Sequence, residues 1–127
     1  MKFIPFFLTL IGLCLSLTLS AQKSALVGDW EMAVPTQDGS MMTIKVSLKG
    51  DGTYSVDFGN DGTNEINGAY TTDGDKITIK DADGPQACPG EGIYTYTATE
   101  TSLTMTRVSD ACEGRGGPEG VMAMKRM

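Results

Sequence analysis

From about residue 25 onward the chain alternates apolar and polar residues with a period of two, broken at short intervals by Gly, Asp and Asn. That period belongs to a strand with one face in a core and the other in water; helical periodicity is absent. The clearest run is Met42-Thr43-Ile44-Lys45-Val46-Ser47-Leu48-Lys49. Tyr54, Val56 and Phe58 continue the pattern against Ser55 and Asp57, followed by Ile66-Asn67-Gly68-Ala69-Tyr70. Ile77 and Ile79 alternate with Lys76, Thr78 and Lys80, and the runs at 94–96 and 103–105 are interleaved with threonine. A first strand at 28–33 and a last at 121–126 bring the count to eight. Clean alternation suits an antiparallel sheet, and closing eight strands on themselves removes the edges that invite aggregation. The expected fold is all-β: an eight-stranded, antiparallel, up-and-down barrel.

Turn lengths give the barrel two unlike ends. The links after the second, fourth and sixth strands are tight: Gly50-Asp51-Gly52, Asp73-Gly74-Asp75 and the corner at Thr99-Glu100. The first two are Asp-Gly hairpin signals. The links at 34–40, 58–64, 81–91 and 109–119 are longer. Alternate links of a meander share an end, so the tight turns collect on one rim and the long loops on the other. Cys88 and Cys112 both fall on the long-loop rim.

The N-terminus places Lys2 before an apolar run reaching about Leu19, then the small pair Ser20-Ala21 and the polar Gln22-Lys23-Ser24. This is the layout of a secretory signal peptide, residues 1–21, cleaved near Ala21 or at Ser20. The segment is short for a membrane span. Lipid attachment at Cys14 is disfavoured because Leu13 stands where a lipid-attachment motif wants a small residue. The expected domain is then 22–127, secreted or periplasmic. Its two remaining cysteines form an even pair in an oxidising compartment and read as a disulfide. Such a bond closes a loop of about 25 residues and adds about 3 kcal/mol on the loop-entropy account.

Loss of residues 1–21 removes one base and no acid, leaving nine basic against sixteen acidic residues, a net charge of −7. An acidic chain with no basic tract argues against nucleic acid and against anionic membrane surfaces.

Gly28-Asp29-Trp30, on the first strand and away from the first long loop, resembles the Gly-x-Trp signature of lipocalins and related calycin barrels. In those families the tryptophan closes the barrel floor and a basic residue of the last strand packs across its ring. The resemblance implies that role for Arg126, with Lys125 as substitute. Most of the chain from 26 to 127 is also similar to small secreted bacterial lipocalin-like domains, through Tyr70-Thr71-Thr72-Asp73-Gly74-Asp75-Lys76-Ile77-Thr78-Ile79, Cys88, Gly92-Ile93-Tyr94-Thr95-Tyr96, Leu103-Thr104 and Asp110-Ala111-Cys112-Glu113-Gly114-Arg115. It departs from the lipocalin pattern in being shorter and in showing no helix after the barrel strands.

Catalysis finds little support. The chain has no histidine, its thiols are expected to be paired, and no motif sets Ser or Thr beside a base. The carboxylate pairs Asp81/Asp83 and Asp29/Glu31 fall in a loop and on the outer face. The long loops carry eight acids, among them Asp61, Asp110 and Glu113, against Arg115 alone. An oxygen-rich rim suits calcium, but the twelfth position counted from Asp57 is Gly68, and turn chemistry explains the Asp-Gly pairs. Neither metal nor cofactor is assigned. Six methionines, Met32, Met41, Met42, Met105, Met122 and Met124, fit a gap-filling use in a small core.

Met42, Tyr54, Tyr70, Tyr94, Tyr96 and Met105 are expected to point inward and to touch any ligand, the tyrosines needing partners for their hydroxyls. Both a filled interior and a small pocket remain open for a barrel of this size. The functional expectation is a secreted binding protein, not an enzyme, that takes a small, mostly apolar molecule through the long-loop mouth. The alternative is a protein-interaction module, inhibitor-like or an envelope accessory domain, that uses the long loops themselves.

Overall fold

The computed structural model describes residues 23–127. The expected signal peptide, Cys14 and the cleavage site lie outside the described residues. Eight strands follow in order: β1 Gly28–Pro35, β2 Met41–Leu48, β3 Thr53–Phe58, β4 Ile66–Asp73, β5 Lys76–Asp83, β6 Glu91–Ala98, β7 Ser102–Asp110 and β8 Val121–Arg126. Each pairs antiparallel with the next, and β8 returns to β1, so the sheet is a closed up-and-down barrel. No helix among the described residues is long and apolar enough to cross a membrane.

The two rims are as unlike as the turn signals imply. The links 49–52, 74–75 and 99–101 lie at one end, and 36–40, 59–65, 84–90 and 111–120 at the other. The strands run further into the long loops than their apolar patterns do. β5 continues through Asp81 to Asp83, and β7 continues to Asp110. The expected loop at 81–91 therefore begins three residues later, and Asp81 is a strand residue.

Two β-bulges at the long-loop end decide which of these extra residues face inward. Gly68 pairs with Asp81 and Asn67 with Asp83, so Ala82 is the inserted residue. Without it Asp83 would follow Asp81 into the barrel; with it, Asp81 is buried and Asp83 sits outside, accepting a bond from Asn67 Nδ2 at 3.0 Å. In the same way Tyr94 pairs with Arg107 and Ile93 with Ser109, leaving Val108 as the bulge. Arg107 and Asp110, three apart, thereby share the inner face. An inserted residue flips the strand's alternation once, and here each flip re-aims a charged side chain.

The short-turn end is the floor. Leu48, Ile77, Ala98, Leu103 and Met124 are buried there around Trp30, which has no exposed surface. A helical turn at 23–26, absent from the pattern read from the sequence, lies under them and carries the buried Leu26. Trp30 Nε1 donates to the Leu26 carbonyl at 3.0 Å. Arg126 stands over the indole with its guanidinium carbon 4.2 Å from the ring centroid. It donates to the carbonyls of Glu100 (2.7 Å), Val27 (2.9 Å) and Ala25. Gly28 makes this possible: its φ is +144°, and a Cβ there would collide with Arg126 Nη1. β1 and β8 pair only near this floor, at Trp30–Arg126 and Glu31–Lys125.

Candidate binding cavity

Above the floor the interior is not filled. A cavity of about 530 Å³ runs from Leu48, Ile77 and Met124 up to the long loops. Its wall is mostly aliphatic and thioether, with Val46, Val56, Ile79 and Met122 facing it from four strands. The segment 112–118, a partial lid, and the loop residues Gln86 and Cys88 line its upper end. Small-molecule sites typically have such a volume, an apolar wall and few polar groups.

The buried polar groups form one network, while the exposed Gln86 and Glu113 also line the cavity outside it. Asp81 and Arg115 line the cavity from opposite sources, a strand and a loop, with Nη1 and Oδ2 3.5 Å apart. The Tyr54 hydroxyl donates to Asp81 Oδ1, and the Cys88 N–H donates to Oδ2 at 2.9 Å. Gly68 makes room, since a Cβ there would press on the Tyr54 ring and on the Lys80 carbonyl, both 2.5 Å away. Arg115 grips Asp110 with two bonds, Nε to Oδ2 at 2.9 Å and Nη2 to Oδ1 at 2.7 Å. Its Nη2 also donates to the Gly90 carbonyl at 2.9 Å. Asp110 further accepts from the Tyr94 hydroxyl (2.5 Å) and the Cys112 N–H (2.8 Å). Arg107 Nη2 holds the same lid through the carbonyls of Arg115 and Gly117.

Cys88 and Cys112 are bonded to each other, with Cα atoms 6.1 Å apart. The bridge joins the two loops that cap the two carboxylates: Cys88 N–H serves Asp81 and Cys112 N–H serves Asp110. Both side chains are nearly or wholly shielded from solvent, Asp81 at 2% and Asp110 at 0% exposed. Burial pushes the Asp110 carboxyl up, but the Arg115 guanidinium, the Tyr94 hydroxyl and the Cys112 N–H outweigh it and hold the group below its ordinary value. The bonds to Asp110 in turn hold Arg115 more firmly protonated. Burial raises the Tyr54 hydroxyl, and its bond to Asp81 adds to the shift. Tyr94 is pushed up to about 12, first by burial and then by Asp110.

Of the six residues expected to touch a ligand, Tyr54 and Met105 line the cavity and four do not. Met42 shares the inner face of β2 with Ile44 but lies one pair nearer the rim, opposite Val34. Tyr70 leans on the floor, its hydroxyl donating to the Lys49 carbonyl at 2.5 Å. Tyr94 has no exposed surface because the lid covers it and Asp110 takes its hydroxyl. Tyr96 packs in the core opposite Met105. The sequence reading missed Asp81, Arg107, Asp110 and Arg115 as a group. One signal was present: continuing the period of Ile77 and Ile79 by one step puts Asp81 inside.

Among the described residues one carboxylate cluster has oxygens close enough to share a cation, Asp57, Asp61 and Glu65, all within 4.8 Å. These oxygens already shape the 59–65 loop. Asp57 accepts from the N–H groups of Asp61 (3.1 Å) and Gly62 (2.8 Å), Asp61 from Thr63, and Glu65 from Phe58. Burial raises Asp57, but the two N–H bonds prevail and hold it low. The cluster therefore acts as the frame of the turn.

No curated protein and no solved structure matches the chain at a significant level. The family model for lipocalin-like domains matches residues 26–106. The match takes in Trp30, Tyr54, Asp81 and Cys88 and ends before Asp110, Cys112, Arg115 and Arg126. With its closed eight-stranded barrel and its Gly-x-Trp floor under an arginine, the chain belongs to the family of lipocalin-like domains.

Proposed function

We propose that the domain binds a small, mostly apolar molecule inside the barrel and admits it at the long-loop end. The observation that carries this reading is the cavity of about 530 Å³ with its aliphatic and methionine wall. A wall of that kind lets an apolar ligand bury its surface, at about 25 cal/mol per Å² of apolar area removed from water. The reading is binding rather than catalysis: the sequence has no histidine, and the only two cysteines of the described residues are joined. That disulfide also supports residence in an oxidising compartment, the periplasm or the exterior, in keeping with the apolar N-terminus. Native mass spectrometry of protein purified from its own host tests the proposal. A retained small molecule, released on denaturation, is the expected result. Protein that is mass-clean and fails to take up an apolar dye such as N-phenyl-naphthylamine would count decisively against it.

One observation favours the second reading, a protein-interaction surface. Met41, Val108 and Val121 are exposed by half or more of their surface, all toward the long-loop end. Capture of a specific partner that is lost on changing Met41 and Val108 to serine would move the function from the interior to this rim.

A further inference from the structure

Arg115 Nη1 is the loosest part of the polar network at the mouth. The other nitrogens of that guanidinium bond at 2.7–2.9 Å to Asp110 and to the Gly90 carbonyl. Nη1 reaches the Cys88 carbonyl only at 3.4 Å and Asp81 Oδ2 only at 3.5 Å. Both distances exceed the usual 2.7–3.2 Å of an N–H···O bond. Both Asp81 and Arg115 line the cavity. Asp81 Oδ2 holds one good bond, from Cys88 N–H, and keeps accepting capacity on the same side. A donor and an acceptor therefore stand at the cavity wall, joined only by a stretched contact.

The charges around this gap are balanced. The two buried charges that line the cavity, Asp81 and Arg115, are of opposite sign, and Glu113, which also lines it, is exposed. A further ion entering that space would upset the balance and lose its hydration; isolated buried ions cost several kcal/mol each. A carboxylate would gain Arg115 but meet Asp81 beside it. An ammonium would gain Asp81 but meet Arg115.

We infer that the ligand is a neutral amphiphile, an apolar body carrying an uncharged head that both donates and accepts, in the simplest case an alcohol. Its oxygen accepts from Arg115 Nη1 and its hydroxyl donates to Asp81 Oδ2, while the chain lies along the methionine and aliphatic wall. The inference rests on the proposal that the cavity binds a small molecule, and adds to it which head group is selected.

A matched series separates the two. Decanol, decanoate and decylamine share a chain and differ only in the head. Each is titrated at neutral pH against N-phenyl-naphthylamine bound to the purified domain, below its micelle concentration. Decanol is expected to displace the dye at concentrations at least about ten-fold below either charged compound. Decanoate or decylamine binding as well as decanol, or better, would overturn the inference and leave the apolar carrier standing. Failure of the dye to bind and of all three compounds to bind by calorimetry would remove both. Asp81→Asn supplies a readout that mere loosening of the fold does not produce. Cancelling that charge removes the anion that a carboxylate would meet beside Arg115 Nη1, so decanoate should gain on decanol by about ten-fold or more. An unchanged decanoate-to-decanol ratio in a folded Asp81→Asn variant would also overturn it.

Discussion

Each end of the barrel is closed around one arginine, and the two are bonded in opposite ways. At the floor, Arg126 lies over an indole and gives its N–H groups to backbone carbonyls, with no carboxylate among its bonded partners. At the mouth, Arg115 is held between two buried carboxylates and under a disulfide. The floor thus relies on burial, a cation–π contact and main-chain hydrogen bonds, none of which titrates near neutrality or answers to a reductant. The mouth relies instead on buried ion pairs, whose Asp110 carboxyl titrates only in acid, and on a covalent bond that a reductant opens. On the proposed function that division has a use, because the end that would admit a ligand can loosen while the other keeps the strands in register.

The largest effect that the comparison implies is at the floor. Trp30→Ala removes a side chain with no exposed surface and strips Arg126 and the 23–26 turn of the ring between them. Loss of about 3–5 kcal/mol is expected, as for other large-to-small core changes, read as a shift of the urea midpoint. A variant that kept its melting temperature and lost only ligand binding would put Trp30 at the ligand and undo the assignment of the ends.

Opening the disulfide comes next. Cys112→Ser frees a closed loop of about 25 residues and should cost about 2–4 kcal/mol. The signature is positional: hydrogen exchange should accelerate through 84–90 and 111–120 and leave the Asp51-Gly52 and Asp73-Gly74 hairpins protected. Faster exchange at those hairpins as well would mean that the two ends are one cooperative unit.

The contrast also explains what the sequence does and does not disclose. The floor is written in local signals, a Gly-x-Trp and a strict alternation, and the apolar residues Leu48, Ile77 and Leu103 follow from the period of two. The disulfide follows from counting two cysteines and placing both on one rim. The mouth is not written locally. Arg107 and Asp110 share a face only because Val108 bulges, and Asp83 leaves the barrel only because Ala82 does. Arg115 comes from a loop whose path depends on a bridge 24 residues long in sequence. The tyrosine pattern names Tyr54 and Tyr94 as inward, yet which hydroxyl meets which carboxylate depends on those bulges. The helical turn at 23–26 has no capping pattern of its own and is held by the tryptophan and arginine above it.

Acid should separate the ends more finely. Asp110 has a folded-state pKa below its ordinary 3.8, so its bonds stabilise fully above that value. The contribution fades as pH falls from 3.8 through the depressed folded value, where both states are protonated. Asp38, Asp51 and Asp57 are also held low and add to the same limb. The difference between the parent and Asp110→Asn isolates the mouth: a gap of about 1–3 kcal/mol near neutral pH that narrows in that acid window. A gap that stayed constant with pH would make Asp110 a packing residue and remove the electrostatic half of the comparison.

The smallest expected effect is the loss of one hydroxyl at the wall of the cavity. Tyr54→Phe keeps the ring against Gly68 and removes only the bond to Asp81 Oδ1. Asp81 still has the Cys88 N–H at 2.9 Å and Arg115 Nη1 at 3.5 Å, so it is not stranded in the interior. A net cost of about 1–2 kcal/mol follows, because a hydrogen bond to an ionised group is lost while its desolvation stays partly compensated. The change should also leave Trp30 fluorescence unmoved, since the indole bonds to the Leu26 carbonyl and the ring at position 54 stays in place. A loss as large as that of Trp30→Ala would show that the Asp81 network, rather than the Trp30 floor, holds the barrel shut.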